Sequence, residues 1–196
     1  MRDLTAPELL RRWWRPAVVV LVVGAAVVWR LVKDDLGAPP NLELSTAAAF
    51  LAALLLRNRL AALAPLAVVA VSDLMLGNSE VLLFTWTAWA LIGLAALWTR
   101  HTRGARRFVA ALGFGVGGTL FFYLWTNFGV WLQGRGTFYP AGADGLAASY
   151  VAGLPFLRPM LLGNLLLLPA TVLVVGLVER IERVLTEPIV SPAAVR

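Results

Sequence analysis

Residues 108–132 read FVAALGFGVGGTLFFYLWTNFGVWL, a run that contains no Asp, Glu, Lys or Arg. A helix needs about 20 consecutive apolar residues to cross a bilayer, so this run predicts a membrane-spanning helix. Within it, Gly113-Phe-Gly-Val-Gly-Gly118 matches the dinucleotide-binding pattern GxGxxG. No strand precedes the glycines, and we reject that function. Gly113 and Gly117 lie four residues apart and predict a small-residue face for close helix packing instead.

The rest of the chain shares this apolar character. Of its 196 residues, 60% are hydrophobic and 14% are charged, and the mean hydropathy is +0.78. An ordinary soluble domain is about 45–50% apolar and about 25% charged. A chain this short cannot bury so much apolar surface in one aqueous core. The composition therefore predicts an all-α integral membrane protein.

Six apolar segments are predicted to span the bilayer: 16–32, 44–56, 60–76, 81–99, 108–132 and 159–178. Residues 133–145 are rich in Gly, Pro and polar side chains and predict a loop. Residues 146–156 are too short to span and predict an interfacial or re-entrant piece. We therefore predict an amphipathic N-terminus over 1–15, one six-helix membrane domain over 16–186 and a flexible tail over 187–196.

The basic residues predict the orientation. With the N-terminus inside, thirteen of the seventeen Lys and Arg residues fall on the cytoplasmic side, as the positive-inside rule requires. Both termini are therefore predicted to be cytoplasmic. Merging the second and third segments would place Arg57 and Arg59 inside the bilayer, at roughly 2.5–3.5 kcal/mol per charge. The net charge of +6 comes from clusters between apolar runs, so we expect no nucleic-acid partner.

Several kinds of chemistry are missing from the sequence. There are no cysteines, and the single histidine, His101, lies in a basic loop. Disulfides, thiolate metal sites and multi-histidine metal sites are therefore not expected. We find no nucleophile with a base and no phosphate-binding loop. Glu179 and Glu182 stand beside Arg180 and Arg183, a pattern typical of a solvated helix face. We predict that the protein is not an enzyme and holds no metal or cofactor.

Asp73 is the most informative single residue. It lies near the outer end of the third predicted span, in Ser72-Asp73-Leu-Met-Leu-Gly77. A carboxylate at that depth is costly, so it should face the protein interior or a wet cavity and find a partner. Two interpretations stay open: a contact with a substrate or ion, and a structural acceptor that holds the loop following it.

Other polar residues at membrane depth gather at the same outer end. Asn127 and Trp131 share one face of the fifth span, and Asn164 lies in the first turns of the last. Structural caps should scatter more evenly, so we predict an outward-facing pocket walled by these residues and Asp73. Its rim is predicted to include Asn41, Glu80 and Tyr139. Tyr139 belongs to a loop, 135–144, that is either a lid or a plain connector.

Specific sequence runs resemble a family of small bacterial membrane proteins, DUF6580, whose members are usually labelled putative transport proteins. The resemblance covers roughly residues 38–180. It rests on Pro40-Asn41, Ser72-Asp73-Leu-Met-Leu-Gly77, Thr126-Asn127-Phe128-Gly129-Val130-Trp131, Tyr139-Pro140 and Tyr150-Val-Ala-Gly-Leu-Pro155-Phe156. The chain departs from the family at Asn164, where an acidic residue is frequent, and at Ser149, where a cysteine is frequent.

The family is similar in size and topology to the substrate-binding S components of energy-coupling factor (ECF) transporters. The resemblance implies uptake of a vitamin-like solute across the bacterial inner (cytoplasmic) membrane, with cobalamin or a related corrinoid as the first ligand to consider. It also implies a coupling subunit and ATPases as partners, docked against small residues. Ala48, Ala49, Ala52 and Ala53 could form that surface. The alternative function is a non-transporting accessory subunit that scaffolds a larger membrane complex.

Overall fold

A computed structural model of the chain describes residues 6–77 and 81–186, with side chains over 12–77 and 81–184. These residues contain no strand, which confirms the all-α prediction. The six α-helices of these residues are α1 (Ala6–Val32), α2 (Ser45–Leu56), α3 (Ala64–Leu76), α4 (Leu82–Ala96), α5 (Gly104–Gly134) and α6 (Ala143–Thr186). Two 3-10 segments lie next to them: Arg59–Leu63 precedes α3, and Leu97–Thr99 follows α4.

The lengths and composition of these helices indicate a multi-pass membrane protein. Five helical segments in the described residues are long and apolar enough to cross a bilayer, whereas α2, with 12 residues, is shorter. Successive helices run in opposite directions, which gives the bundle two ends. We call them the Asp73 end, where α1, α3 and α5 finish, and the Glu179 end, where α2, α4 and α6 finish.

The short helix α2 lies in the centre of the bundle. Every residue from Ser45 to Leu55 is buried, against α1, α3, α4 and α6. Its sequence, STAAAFLAALLL, has no polar face, as expected of a helix that is enclosed on all sides. The predicted docking surface on this helix is therefore wrong, because its small residues already pack inside the protein: Ala48, Ala49, Ala52 and Ala53.

The last helix, α6, is one continuous element of 44 residues. The prediction of a separate interfacial piece at 146–156 is wrong. Pro155, Pro159 and Pro169 lie inside α6, and each proline removes one backbone hydrogen bond. The helix continues through them because α6 packs along α5, which supports it from one end to the other. The connection between the two helices is correspondingly shorter than the predicted loop.

The glycines of α5 fall on two faces. A Cβ added at Gly115 would come within 2.8 Å of Leu168 Cδ2, so Gly115 is the glycine that permits close packing with α6. A Cβ at Gly113 or Gly117 would meet nothing within 4 Å. Gly113 and Gly117 lie four residues apart and share one face of α5, and that face is open. The prediction that this face packs closely against another helix is therefore wrong.

Candidate functional site

Asp73 belongs to a network of polar side chains at its end of the bundle, which we call the Arg30 cluster: Arg30, Glu43, Ser72, Asp73 and Trp86. The Arg30 guanidinium lies 3.0 Å from Asp73 Oδ1 and 3.0 Å from Glu43 Oε1. Its Nε donates to Ser72 Oγ at 2.7 Å. The second Asp73 oxygen accepts from Trp86 Nε1 at 2.8 Å. Asp73 thus has the partner that its depth in an apolar helix required.

The Arg30 cluster joins α1, α3, α4 and the loop before α2. Guanidinium has five donors in a fixed fork and suits two acceptors at once. The single positive charge of Arg30 nevertheless pairs with two carboxylates, those of Glu43 and Asp73. Burial raises the pKa of Glu43 above its ordinary value, and Arg30 and Lys33 offset only part of that rise. Both oxygens of Asp73 accept hydrogen bonds from side chains of other helices, Arg30 of α1 and Trp86 of α4, and its contact with a substrate stays a prediction.

Asn164 lies at mid-length of α6 and not in the first turns of a span, because α6 begins much earlier than predicted. Its Nδ2 donates to Thr119 Oγ1 at 2.8 Å and to Thr46 Oγ1 at 3.2 Å. We call these three side chains the Asn164 centre. All three are fully or almost fully buried. Asn164 Oδ1 has no hydrogen-bond partner among the described residues.

A second unsatisfied polar atom lies nearby in the packing. Trp89 on α4 is fully buried, and its Nε1 has no partner in the described part of the chain. Its ring packs on Phe122, with the centroids 5.1 Å apart, and shares a cluster with Met160. Phe122 is one turn from Thr119, and Met160 is one turn from Asn164. A free donor on α4 and a free acceptor on α6 therefore lie beside adjacent turns of α5, at Phe122 and Thr119.

Asn127 and Trp131 do not meet Asp73. Asn127 Nδ2 donates to the backbone oxygen of Tyr123 at 2.8 Å, within α5. Its amide packs on Gly153 of α6, where an added Cβ would lie 2.3 Å from Asn127 Oδ1. Trp131 Nε1 donates to the backbone oxygen of Pro140 at 3.1 Å. Both side chains therefore hold the α5–α6 hairpin together.

The two described rim residues, Asn41 and Tyr139, lie in different loops. Tyr139 lies in the α5–α6 loop, where its backbone oxygen accepts from Gly136 N at 2.7 Å. Asn41 has a left-handed backbone, with φ of 57°, in the α1–α2 loop. Glu80 lies outside the described residues. The α5–α6 loop, which contains Tyr139, is folded back on the end of α5. Its function as a lid or as a plain connector stays a prediction.

The prediction overlooked a row of aromatic rings where α4 faces α5. Trp125 stacks on Phe121 and Phe128, and it contacts Phe84 of α4 with centroids 5.5 Å apart. Its Nε1 donates to Thr87 Oγ1 at 2.9 Å. The signal was present in the sequence, since residues 121, 125 and 128 follow helical spacing.

The opposite end holds a second charged network, the Glu179 cluster: Arg15, Arg57, Arg107, Glu179 and Glu182. Arg107 binds both Glu179 oxygens at 3.0 Å, and Arg57 lies 3.3 Å from one of them. Arg15 pairs with Glu182. The prediction of a purely solvated face is wrong here, because arginines from three other helices reach these glutamates.

Four cavities lie at the Glu179 end or between α4 and α5, among residues 12–77 and 81–184. None of these four is lined by Asp73, Asn127, Trp131 or Asn164. The most apolar of the four, of about 470 Å³, is a groove between α4 and α5. One of about 380 Å³ adjoins Glu179 and Glu182. No group of acidic or histidine side chains able to hold a metal occurs in these described ranges.

One comparison with known proteins gives a match. A family model described as a family of unknown function, DUF6580, matches residues 10–187. Neither the curated proteins nor the solved structures contain a match to the chain.

Proposed function

The chain belongs to the DUF6580 family, and on that premise we propose that it is a substrate-binding protein for uptake of a small, vitamin-like solute. The observation that carries the proposal is the Asn164 centre. A buried acceptor without a donor costs about 1–3 kcal/mol. A bound molecule that supplies the donor removes this cost, so the site favours binding.

The two free groups suggest what kind of solute fits. Asn164 Oδ1 accepts a hydrogen bond and Trp89 Nε1 donates one. A solute that carries both an N–H or O–H donor and a carbonyl acceptor complements this pair. Buried polar groups in a membrane-spanning bundle are expensive and typical of substrate pathways. A corrinoid, whose periphery carries amide groups, is the first probe of this class.

The solute reaches the Asn164 centre from the Asp73 end, which the proposal places on the outer face of the bacterial inner membrane. The aromatic row of α4 and α5 then forms one wall, with Asn127 and Trp131 on the hairpin above it. Because Asn164, Thr46 and Thr119 are enclosed by packing, α5 and α6 must separate from α2 and α4 to admit the solute. A coupling subunit with ATPases, as in ECF transporters, belongs to this proposal as the partner. The buried α2 cannot serve as its docking surface.

The test is a mass-spectrometric survey of small molecules that co-purify with the full chain in mild detergent. We expect one retained solute in the wild type and at least a tenfold loss of it in Asn164→Leu. Thr171→Val is the matched control, because Thr171 is buried in the same helix and, within residues 12–77 and 81–184, its hydroxyl bonds only to the backbone oxygen of Leu167.

Two results contradict the proposal. A solute retained equally by the wild type and Asn164→Leu, both folded, removes the Asn164 centre from the binding site. A wild-type protein that holds no small molecule, and instead holds a stoichiometric protein partner, supports the accessory subunit of a larger membrane complex.

A further inference from the structure

A long apolar groove lies open between α4 and α5, apart from the Asn164 centre. Its volume is about 470 Å³, within the range of about 300–1,000 Å³ that is usual for ligand sites. Along α5 it extends from Ala110 to Phe121, about 16 Å at a rise of 1.5 Å per residue. That length is close to one leaflet of a hydrocarbon core of about 30 Å.

Glycines keep this groove open. Gly113, Gly117 and Gly118 form its floor, facing Ala95 and Ile92 of α4. A Cβ at Gly113 or Gly117 would meet no atom within 4 Å. These positions therefore do not serve helix packing inside this chain, and the space beside them can hold an extended apolar molecule.

The groove ends in a basic mouth. Trp98 and Thr102 line both the groove and a second cavity of about 580 Å³, whose wall also includes Arg103 and Arg106. Both arginines are exposed. Neither makes an ion pair or hydrogen bond with another described residue, whereas the neighbouring Arg107 is buried against Glu179. The ring of Trp98 is 87% exposed, as is usual for an interfacial tryptophan.

We propose that the α4–α5 groove binds one anionic phospholipid, with an acyl chain against Gly113 and Gly117 and its phosphate at Arg103 and Arg106. Charge complementarity selects this occupant. Two unpaired guanidiniums beside a membrane-depth groove match a phosphate attached to a hydrocarbon chain, and basic pockets between membrane helices bind anionic headgroups in this way. The lipid would fill the space between α4 and α5 and hold their ends together.

The test is native mass spectrometry of the full chain in detergent, titrated with phosphatidylglycerol and separately with phosphatidylethanolamine. We expect tighter binding of phosphatidylglycerol. Arg103→Gln/Arg106→Gln should weaken phosphatidylglycerol binding at least about tenfold and bring it to the level of phosphatidylethanolamine. Arg158→Gln/Arg180→Gln is the matched control, since both of these arginines are exposed and lie outside the mouth.

A second pair of variants tests the groove itself. Gly113→Leu/Gly117→Leu fills it and should abolish the tight binding of both lipids. Gly24→Leu/Gly176→Leu has the same added bulk at open positions elsewhere and should bind as the wild type does. Thermal melting verifies that each variant is folded, and Gly113→Leu alone is the milder substitute if the double variant is not.

Three results overturn the inference. The first is equal wild-type affinity for the two lipids. The second is unchanged affinity in the folded arginine variant or in the folded groove variant. The third is a second protein that co-purifies with the wild type, stays bound when either lipid is added and is lost in the groove variant. That result would show that the groove binds a protein partner and not a lipid.

Discussion

Each of the two charged clusters has one central ion that pairs with two ions of opposite charge, and the sign of the central ion differs between the clusters. At the Asp73 end, one arginine binds two carboxylates, and the side chains of Arg30 and Glu43 are 15% and 5% exposed. At the Glu179 end, one glutamate binds two arginines, and the side chains of Arg57 and Glu179 are 34% and 26% exposed. Burial makes the loss of one partner costly, whereas exposed pairs contribute little. The Arg30 cluster should therefore matter more for stability.

The clusters also connect different helices. The Arg30 cluster joins α1 to α3 and α4, and the Glu179 cluster joins α1 to α2, α5 and α6. Along α1, Arg15 and Arg30 are separated by about 22 Å at 1.5 Å per residue. This is less than a hydrocarbon core of about 30 Å. Glu43 and Arg57, which flank the 12-residue α2, belong to the two clusters, so even this short helix runs from one cluster to the other.

Arg30→Ala should have the largest effect. It removes the guanidinium that pairs with both Glu43 and Asp73 and leaves Lys33 as the remaining cation that acts on Glu43, which should cost about 3–5 kcal/mol of unfolding free energy. Unfolding in mixed detergent micelles measures it, with Arg135→Ala as the control, because Arg135 is exposed. A stability equal to that of the control would refute the ranking of the two clusters. Arg30→Met with Glu43→Gln and Asp73→Asn should recover most of the loss.

Glu179→Ala should come second. Arg107, whose side chain is 6% exposed, loses both of its carboxylate contacts, but water can reach the vacated position. We expect a loss of about 2 kcal/mol, in the range for hydrogen bonds to charged groups. The same unfolding assay measures it, and Arg180→Ala on the adjacent exposed position is the control. A loss greater than that of Arg30→Ala would reverse the comparison.

Trp86→Phe removes one hydrogen bond of the Arg30 cluster. An aromatic ring is kept, but the indole N–H that donates to Asp73 Oδ2 is lost and the ring becomes smaller, so the expected cost is about 1 kcal/mol for the hydrogen bond plus the loss of packing around the ring. Trp98→Phe is the control because the Trp98 ring is exposed. If Trp86→Phe is as stable as Trp98→Phe, this hydrogen bond adds nothing to the cluster.

Arg57→Met should have the smallest effect. Arg57 is the more exposed partner in its ion pair with Glu179, and its guanidinium lies 3.3 Å from the Glu179 carboxylate. An exposed pair of this kind contributes about 0.2–1 kcal/mol, and salt screens it. The difference between Arg57→Met and the wild type should therefore shrink between 0.05 and about 0.5 M salt. A difference that is larger than about 2 kcal/mol and independent of salt would show that water is excluded from the Glu179 end as fully as from the Asp73 end.

The sequence predicted the helix class, most helix bounds and the need of Asp73 for a partner. These follow from apolar run length and from the cost of a lone carboxylate in such a run. It did not identify Arg30 as that partner. The positive-inside count places Arg30 among the four basic residues on the outer side, and the count is the same whether its side chain faces lipid headgroups or the protein, so only the folded structure separates the two.

The sequence misjudged the depth of Asn164 and the neighbours of Asn127. Asn164 was placed near a helix start because Pro159 usually begins a helix, whereas α6 continues through it. Asn127 and Asp73 lie at the same end but on different helix pairs, which sequence cannot tell. Trp89 and Thr46 escaped notice because an aromatic or a threonine in an apolar run is common, and only packing shows that the Trp89 donor is unsatisfied.

The central claim is that the two clusters lie at opposite faces of a membrane, with the Asp73 end outside. The chain has no cysteine, so single substitutions report directly through a membrane-impermeant thiol reagent on intact cells. Phe138, which is 83% exposed in the α5–α6 loop, and the exposed His101 at the other end are the positions to use. The account predicts that Phe138→Cys is labelled in intact cells and His101→Cys only after permeabilisation. Labelling of both from the same side, or in the reverse order, would contradict it.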